Sequence, residues 1–313
     1  DQRRAVEIVM SGAKNILISM ATQAGKSLCF QIPSSFQRDG IILVISPSIS
    51  LITNQVSKLN RFRLPATSIT SVLPEASRNE ILRELADYKN TPYRFIYMTP
   101  EMIVNGGLKT REMIFTLMAK NQISHVVVDE AHCVIDKAYD FRGAFTSLKL
   151  IREGYPQIPW IAITTASIKK LHEIAAFLSM TEPTIYRSLS DRKNIFYDVI
   201  KSDNEAQPSF KKIIEDFLEL DEEKDEFITR RVYASGIIFC ATNAHADIIA
   251  DGLCEEGVSA KSYYGAKNDV NLIQKQWKDG LFPVIVATTE SFGFGINRKP
   301  LTFIVHFSFS KNL

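Results

Sequence analysis

Short apolar runs rich in β-branched residues recur along this chain, separated by stretches with helical spacing. NILISM, GIILVIS, YRFIYM, HVVVD and WIAIT occupy the first part, and IFYDVI, SGIIFC, FPVIVAT and TFIVHF follow. Each run is too short for an ordinary helix and is bounded by turn residues, the pattern of a strand buried on both faces. Between them, LITNQVSKLNRF, SRNEILRELADY, IKKLHEIAAFLS, AHADIIADGLCEE and VNLIQKQWKDG place apolar residues three to four apart, as one face of a helix does. Parallel strands need long crossovers, and helices supply them, so this alternation predicts an α/β protein with parallel sheets. A chain of 313 residues exceeds one typical core. Two sets of strands therefore predict two tandem domains, 1–189 and 190–313.

Composition narrows the class only a little. Apolar residues make up 45% and charged residues 23%, and 37 basic against 35 acidic residues give a net charge of +2. A surface for a polyanion would have to come from local clustering. The four cysteines (Cys29, Cys133, Cys240, Cys254) form no C-x-x-C pair, so no zinc site is expected in this segment and a reducing compartment is the simple reading. No apolar run approaches the roughly 20 residues of a membrane span, and no membrane association is expected. The start, DQRRAVEIV, has neither an initiator methionine nor a signal-peptide pattern, so the chain is expected to be a segment of something longer. The acidic run within 201–235 reads as a solvated helix face or loop.

Two motifs carry chemistry. ILISMATQAGKSLCFQIP, residues 16–33, passes from strand to loop to helix, the local build of a phosphate cradle. Backbone N–H groups of Thr22, Gln23, Ala24, Gly25, Lys26 and Ser27 would face phosphate oxygens, helped by the dipole of the following helix. Lys26 would neutralise the β- and γ-phosphates, and Ser27 would ligate Mg²⁺. A G-K-S alone also fits an ordinary strand–helix turn. HVVVDEAH, residues 125–132, adds a buried strand with Asp129 and Glu130 at its carboxyl end, where open parallel sheets place ligands. Asp129 would hold the metal, Glu130 would orient and deprotonate an attacking water, and His132 would sense the γ-phosphate. Together the motifs predict a P-loop nucleotide hydrolase using ATP and Mg²⁺.

The neighbouring residues resemble the RecQ family of DNA helicases. The resemblance rests on GKSLCFQIP at 25–33, SPSISLITNQV at 46–56, YMTPE at 97–101, AHCV at 131–134, DFR at 140–142, DRKNI at 191–195, GIIFC at 236–240 and FGFGIN at 292–297. It implies two RecA-like domains with ATP and Mg²⁺ in the cleft between them. It also implies ATP-driven 3′-to-5′ translocation on single-stranded DNA that separates duplexes and junctions, in repair and recombination, at a nuclear or nucleoid site. By the same resemblance Gln2 stands where a glutamine reads adenine, although a solvated helix-start residue fits it equally. Ser46 with Pro47, and Thr99 with Pro100 and Glu101, resemble DNA-backbone contact motifs, which position a strand without reading its sequence. Thr164 resembles the start of the motif coupling hydrolysis to movement. Asp140, Phe141 and Arg142 resemble part of the segment that in the family reports bound DNA. Gly293 and Gly295 resemble a second-domain turn near nucleotide and DNA. The resemblance names no protein partner.

Five departures from the family pattern stand out. The loop reads T-Q-A-G-K-S, where the family has more glycine. If position 23 needs a positive φ, Gln23 costs about 1–2 kcal/mol, roughly ten-fold in nucleotide affinity. Lys137 replaces a tryptophan and Tyr139 a histidine in the DNA-reporting segment. The coupling motif reads Thr164-Thr165-Ala166, with its second hydroxyl moved by one position. VATTESFGFGIN carries one extra residue, which either displaces the glycine turn or is absorbed as a bulge. Finally, Leu313 ends the segment before the family's arginine-bearing motif. An arginine finger is worth about 10³–10⁵ in rate, roughly 4–7 kcal/mol, so this segment alone is expected to be weak and its second sheet incomplete, with exposed apolar surface. The resulting expectation is an ATP-dependent helicase core. The alternative is a degenerate module that binds ATP or DNA without unwinding.

Overall fold

The computed structural model describes residues 2–22, 24–36, 40–135, 142–188, 194–199, 235–265, 269–288 and 301–307. The chain divides into two compact units, 1–195 and 196–313. The expected boundary at 189/190 falls outside the described residues, as does most of the acidic segment after it.

The first unit contains α1 (Gln2–Met10), β1 (Asn15–Ser19), α2 (Leu28–Phe36), β2 (Ile41–Ile45), α3 (Ile49–Arg61), β3 (Ala66–Ile69), α4 (Glu75–Ala86) and β4 (Phe95–Met98). It continues with α5 (Pro100–Asn105), α6 (Leu108–Ala119), β5 (Ile123–Val128), a 3₁₀ turn (Ala131–Val134), α7 (Arg142–Gly154), β6 (Trp160–Thr164), α8 (Ile168–Phe177) and β7 (Thr184–Arg187). Its strands form one seven-stranded sheet in the order β3-β4-β2-β5-β6-β1-β7. Every described pairing in it is parallel.

Strand alternation explains why the central runs are apolar throughout. Ile16, Ile18, Ile42, Val44, Val127, Ile161 and Ile163 pack on one face with Ala5 and Val9 of α1, Phe30 of α2, and Ile52 and Leu59 of α3. Leu17, Leu43, Ile45, Val126, Val128 and Ala162 pack on the other, against α4 to α8. Both faces are covered, so every residue of β1, β2 and β6 is buried. Helices on both faces of a parallel sheet make a doubly wound α/β unit. Its loops at the carboxyl ends of the strands all open along one edge.

The second unit contains β8 (Gly236–Cys240), α9 (Asn243–Glu255), β9 (Ala260–Tyr263), α10 (Val270–Lys278), β10 (Val284–Thr288) and β11 (Phe303–His306). These strands form a second parallel sheet, β11-β8-β10-β9. Ile249 and Leu253 of α9 pack on one of its faces and Trp277 of α10 on the other. Thr242 starts α9 by accepting the His245 N–H at 3.2 Å, a hydroxyl cap on an otherwise unpaired helix amide.

One expected strand is corrected. IFYDVI was expected to open the second strand set, but residues 195–199 form no strand. Phe196 and Val199 are 87% and 93% exposed. An apolar run becomes a strand only where a neighbour pairs with it and covers it, and these residues have neither among the described ones.

Candidate active site

The carboxyl edge of the first sheet gathers most of the predicted site. Along the sheet from β4 through β2, β5 and β6 to β1, the strands end at Thr99, Ser46, Asp129, Thr164 and the Lys26 loop. Five adjacent strands thus present all these residues on one rim, although they lie far apart in sequence.

The phosphate-loop residues occupy the turn between β1 and α2. Gly25 has a φ of +79°, a left-handed conformation that glycine adopts freely. A Cβ built there would meet Nε2 of Gln2, so a side chain at this position would displace the Gln2 amide from the loop. Gln2 Nε2 donates to the Ala24 carbonyl at 2.8 Å, fastening the first residue of α1 to the loop. The Ala24 N–H is bonded to Ala21 at 3.1 Å, and Leu28 N–H to the Gly25 carbonyl at 3.0 Å, so the loop passes directly into the first turn of α2. Thr22 is exposed, and Gln23 lies outside the described residues. Among the described loop residues the αL conformation falls at Gly25.

Lys26 is only 9% exposed. Its Nζ lies 3.3 Å from Oε1 of Glu130, across the intervening strand β6. Strands two apart in a sheet are separated by roughly 10 Å, a gap that these two long side chains close. The other Glu130 oxygen lies 3.5 Å from His132 Nδ1, and that nitrogen is 3.3 Å from the Thr164 hydroxyl at the end of β6. Thr164 Oγ1 also accepts the Ala166 N–H at 3.1 Å. Lys26, Glu130, His132 and Thr164 thus form one continuous polar chain.

Glu130 reaches this position on a left-handed backbone, φ 48° and ψ 47°. For a residue with a side chain that conformation costs about 1–2 kcal/mol. Asp129, directly before it, is 6% exposed, accepts the Glu130 N–H at 3.0 Å and donates its own N–H to the Ile45 carbonyl at 2.8 Å. Burial, and then the Glu130 charge, push the Asp129 carboxyl up from 3.8 to about 6, against the opposing pull of Lys26 and the amide bond. A buried carboxylate beside a second carboxylate that meets a lysine ammonium, on the same rim as the Gly25 loop, is a donor set suited to a divalent cation carrying polyphosphate.

The second group of predicted residues lies on the same rim, on the far side of β5. Ser46 N–H donates to the Met98 carbonyl at 3.0 Å, which brings the Ser46–Pro47 and Thr99–Pro100 turns together. Ser46 is 1% exposed, and its hydroxyl has no hydrogen-bond partner among the described residues. Thr99 is buried at the cap of α5, where Pro100 is the first residue, and a buried Glu101 oxygen is likewise unpaired among the described residues. Arg142 begins α7. Asp140, Phe141, Gly293 and Gly295 lie outside the described residues.

The sequence reading missed a set of amides beneath the loop. Gln55 Nε2 on α3 donates to the Ser27 hydroxyl at 2.8 Å. Gln31 Nε2 on α2 donates to Gln55 Oε1 at 3.0 Å and to the Tyr97 hydroxyl at 3.3 Å. The available signal was a glutamine inside the apolar stretch LCFQIP, since a buried amide needs partners.

Residues 1–174 match the family model of the DEAD/DEAH box helicases. The chain is 32% identical over 318 residues to "ATP-dependent DNA helicase Q5" of Rattus norvegicus, covering all of this chain and 32% of that protein. It is 30% identical over 315 residues to "ATP-dependent DNA helicase RecQ" of Pasteurella multocida, covering all of this chain and 46% of that one. The chain thus spans less than half the length of these relatives. Among solved structures, the DUF1998 helicase MrfA bound to DNA aligns with 98% of this chain and 44% of its own at a TM-score of 0.71 and 17% identity. Mss116p bound to ssRNA and AMP-PNP aligns with 98% and 63% at a TM-score of 0.68 and 13% identity. Identities this low speak to the fold alone. Family match, fold and sequence relatives agree: the chain belongs to the DEAD/DEAH box helicases, with the RecQ helicases among its relatives.

Proposed function

We propose that this chain is the ATP-hydrolysing core of a RecQ-type DNA helicase, coupling hydrolysis to 3′-to-5′ movement along single-stranded DNA and to strand separation. The observation that carries the reading is the Lys26–Glu130 pair at 3.3 Å, with Asp129, His132 and Thr164 on the same sheet rim. Lys26 binds the β- and γ-phosphates of ATP, the loop amides hold the remaining phosphate oxygens, and Gln2 orients the base. Ser27 and Asp129 would hold Mg²⁺, which when bound neutralises phosphate charge. Glu130, drawn off Lys26 by the phosphates, accepts the proton of the attacking water. His132, held by the Thr164 hydroxyl, carries the state of the γ-phosphate toward β6 and the loop that follows it.

The Ser46–Pro47 and Thr99–Pro100–Glu101 turns form the polynucleotide side of the same rim, contacting backbone rather than bases. Asp140, Phe141 and Arg142 report bound DNA, and Gly293 and Gly295 serve nucleotide and DNA from the second domain. We assign these roles, the domains 1–189 and 190–313, and a nuclear or nucleoid site from the family resemblance. A second reading, binding without unwinding, is favoured by Lys137 where the family has tryptophan.

The test is ATP turnover by the full-length protein, with and without single-stranded DNA, alongside its Lys26→Ala and Glu130→Gln variants. Strand separation is followed on duplexes with a 3′ or a 5′ tail. DNA-stimulated turnover lost in both variants, with only the 3′-tailed duplex opened, is the expected result. Turnover without opening selects the second reading. Absent turnover, or equal turnover in all three proteins, contradicts the motor.

A further inference from the structure

We infer that Gln55 is a positioning residue for the metal site: held by Gln31 and Tyr97, it fixes the Ser27 hydroxyl so that an oxygen lone pair faces Mg²⁺. This rests on the reading of Ser27 as a metal ligand. Gln55 Nε2 donates to Ser27 Oγ at 2.8 Å, so that hydroxyl accepts from the amide and does not point its own hydrogen there. A hydroxyl oxygen has two lone pairs. One is taken by Gln55, leaving one acceptor lobe for a cation and the hydrogen free to turn aside.

The Gln55 amide cannot reverse on its own without loss. Gln31 Nε2 donates to Gln55 Oε1 at 3.0 Å, so a reversed Gln55 would set two NH₂ groups against each other. Gln31 in turn spends its other hydrogen on Tyr97 OH at 3.3 Å. Gln31 is 5% exposed and Tyr97 fully buried, so water cannot readily take over either bond. The network spans β4, α2 and α3 and ends on one hydroxyl. Outer-shell partners of this kind commonly set metal affinity through the orientation of a ligand.

The experiment measures binding of a fluorescent ATP analogue to the full-length protein as Mg²⁺ is titrated, and again in EDTA, for wild type, Gln55→Met, Gln31→Met and Ser27→Ala. Gln55→Met is expected to raise the Mg²⁺ concentration for half-maximal enhancement about ten-fold. Gln31→Met, which keeps Gln55 but frees it to turn, should raise it several-fold, and affinity in EDTA should not change. A merely structural role would lower affinity equally with and without Mg²⁺, and that result would overturn the assignment. If Gln55→Met does not fold, Gln31→Met carries the same test. Ser27→Ala shifted with both glutamine variants unshifted would overturn the positioning role and leave the phosphate loop standing. Ser27→Ala unshifted would overturn both the positioning role and the reading of Ser27 as a metal ligand.

Discussion

Gly25 and Glu130 stand at the carboxyl ends of β1 and β5, and both have left-handed backbones, yet their chemistry is opposite. Gly25, at φ +79°, is free of strain there and leaves space that a Cβ would take from Gln2. Glu130, at φ +48°, bears the cost of that conformation and uses its side chain to meet Lys26 and His132. On the proposed function, the first turn keeps its backbone bare where phosphates would approach. The second holds strain where a carboxylate must be aimed, which is where strained residues concentrate in enzymes.

The largest effect expected from this contrast is catalytic. Replacing Glu130 with Gln keeps the size and backbone while removing the proposed base, and should lower turnover about 10²–10⁴-fold. A loss below ten-fold would mean the strain at Glu130 serves something other than proton transfer.

Next comes Asp129 on the same turn. Its carboxyl is raised from 3.8 to about 6, chiefly by burial, so the folded protein holds this proton more tightly than the unfolded chain does. The stability it contributes is therefore full below its unfolded value and is lost as pH rises through about 6. In EDTA, Asp129→Asn should flatten that fall and leave the protein about 1–3 kcal/mol more stable than wild type at neutral pH. Urea unfolding at acidic and neutral pH measures this difference; a variant less stable than wild type at neutral pH would contradict it.

At the other turn, Gly25→Ala should cost about 1–2 kcal/mol from its φ alone and weaken nucleotide binding roughly ten-fold. Unchanged affinity in a binding titration would show that the cradle tolerates a side chain.

The smallest effect is the sharpest comparison. Glu130→Gly and Glu130→Ala both lack the carboxylate, so they differ only in backbone preference. Glycine should be the more stable by about 1 kcal/mol, the reverse of its usual rank in helices. Equal unfolding midpoints would remove the strain from the description of β5.

Much of this rim was legible in the sequence. HVVVDEAH and SMATQAGKS mark strand ends because residues buried on both faces must be apolar, so the first polar residues afterwards lie at the edge. The edge strands β3, β7 and β9 were not legible: ATSI, TIYR and AKSY are short and half polar, and β7 buries only Tyr186. IFYDVI misled because apolar composition does not by itself supply a pairing partner. The left-handed turn at Glu130 has no glycine or asparagine to announce it. The Gln31–Gln55 bond joins residues 24 apart on separate helices, which only the folded sheet brings together.

The proposed action of Lys26 and Glu130 on one triphosphate is tested most directly by comparing ATP affinity and single-turnover hydrolysis in the full-length protein and its Glu130→Gln variant. Affinity within about two-fold of wild type, with hydrolysis slowed at least roughly 100-fold, is the expected result. Affinity and hydrolysis falling together, or neither changing, would contradict the separation of a binding lysine from a catalytic carboxylate at this rim.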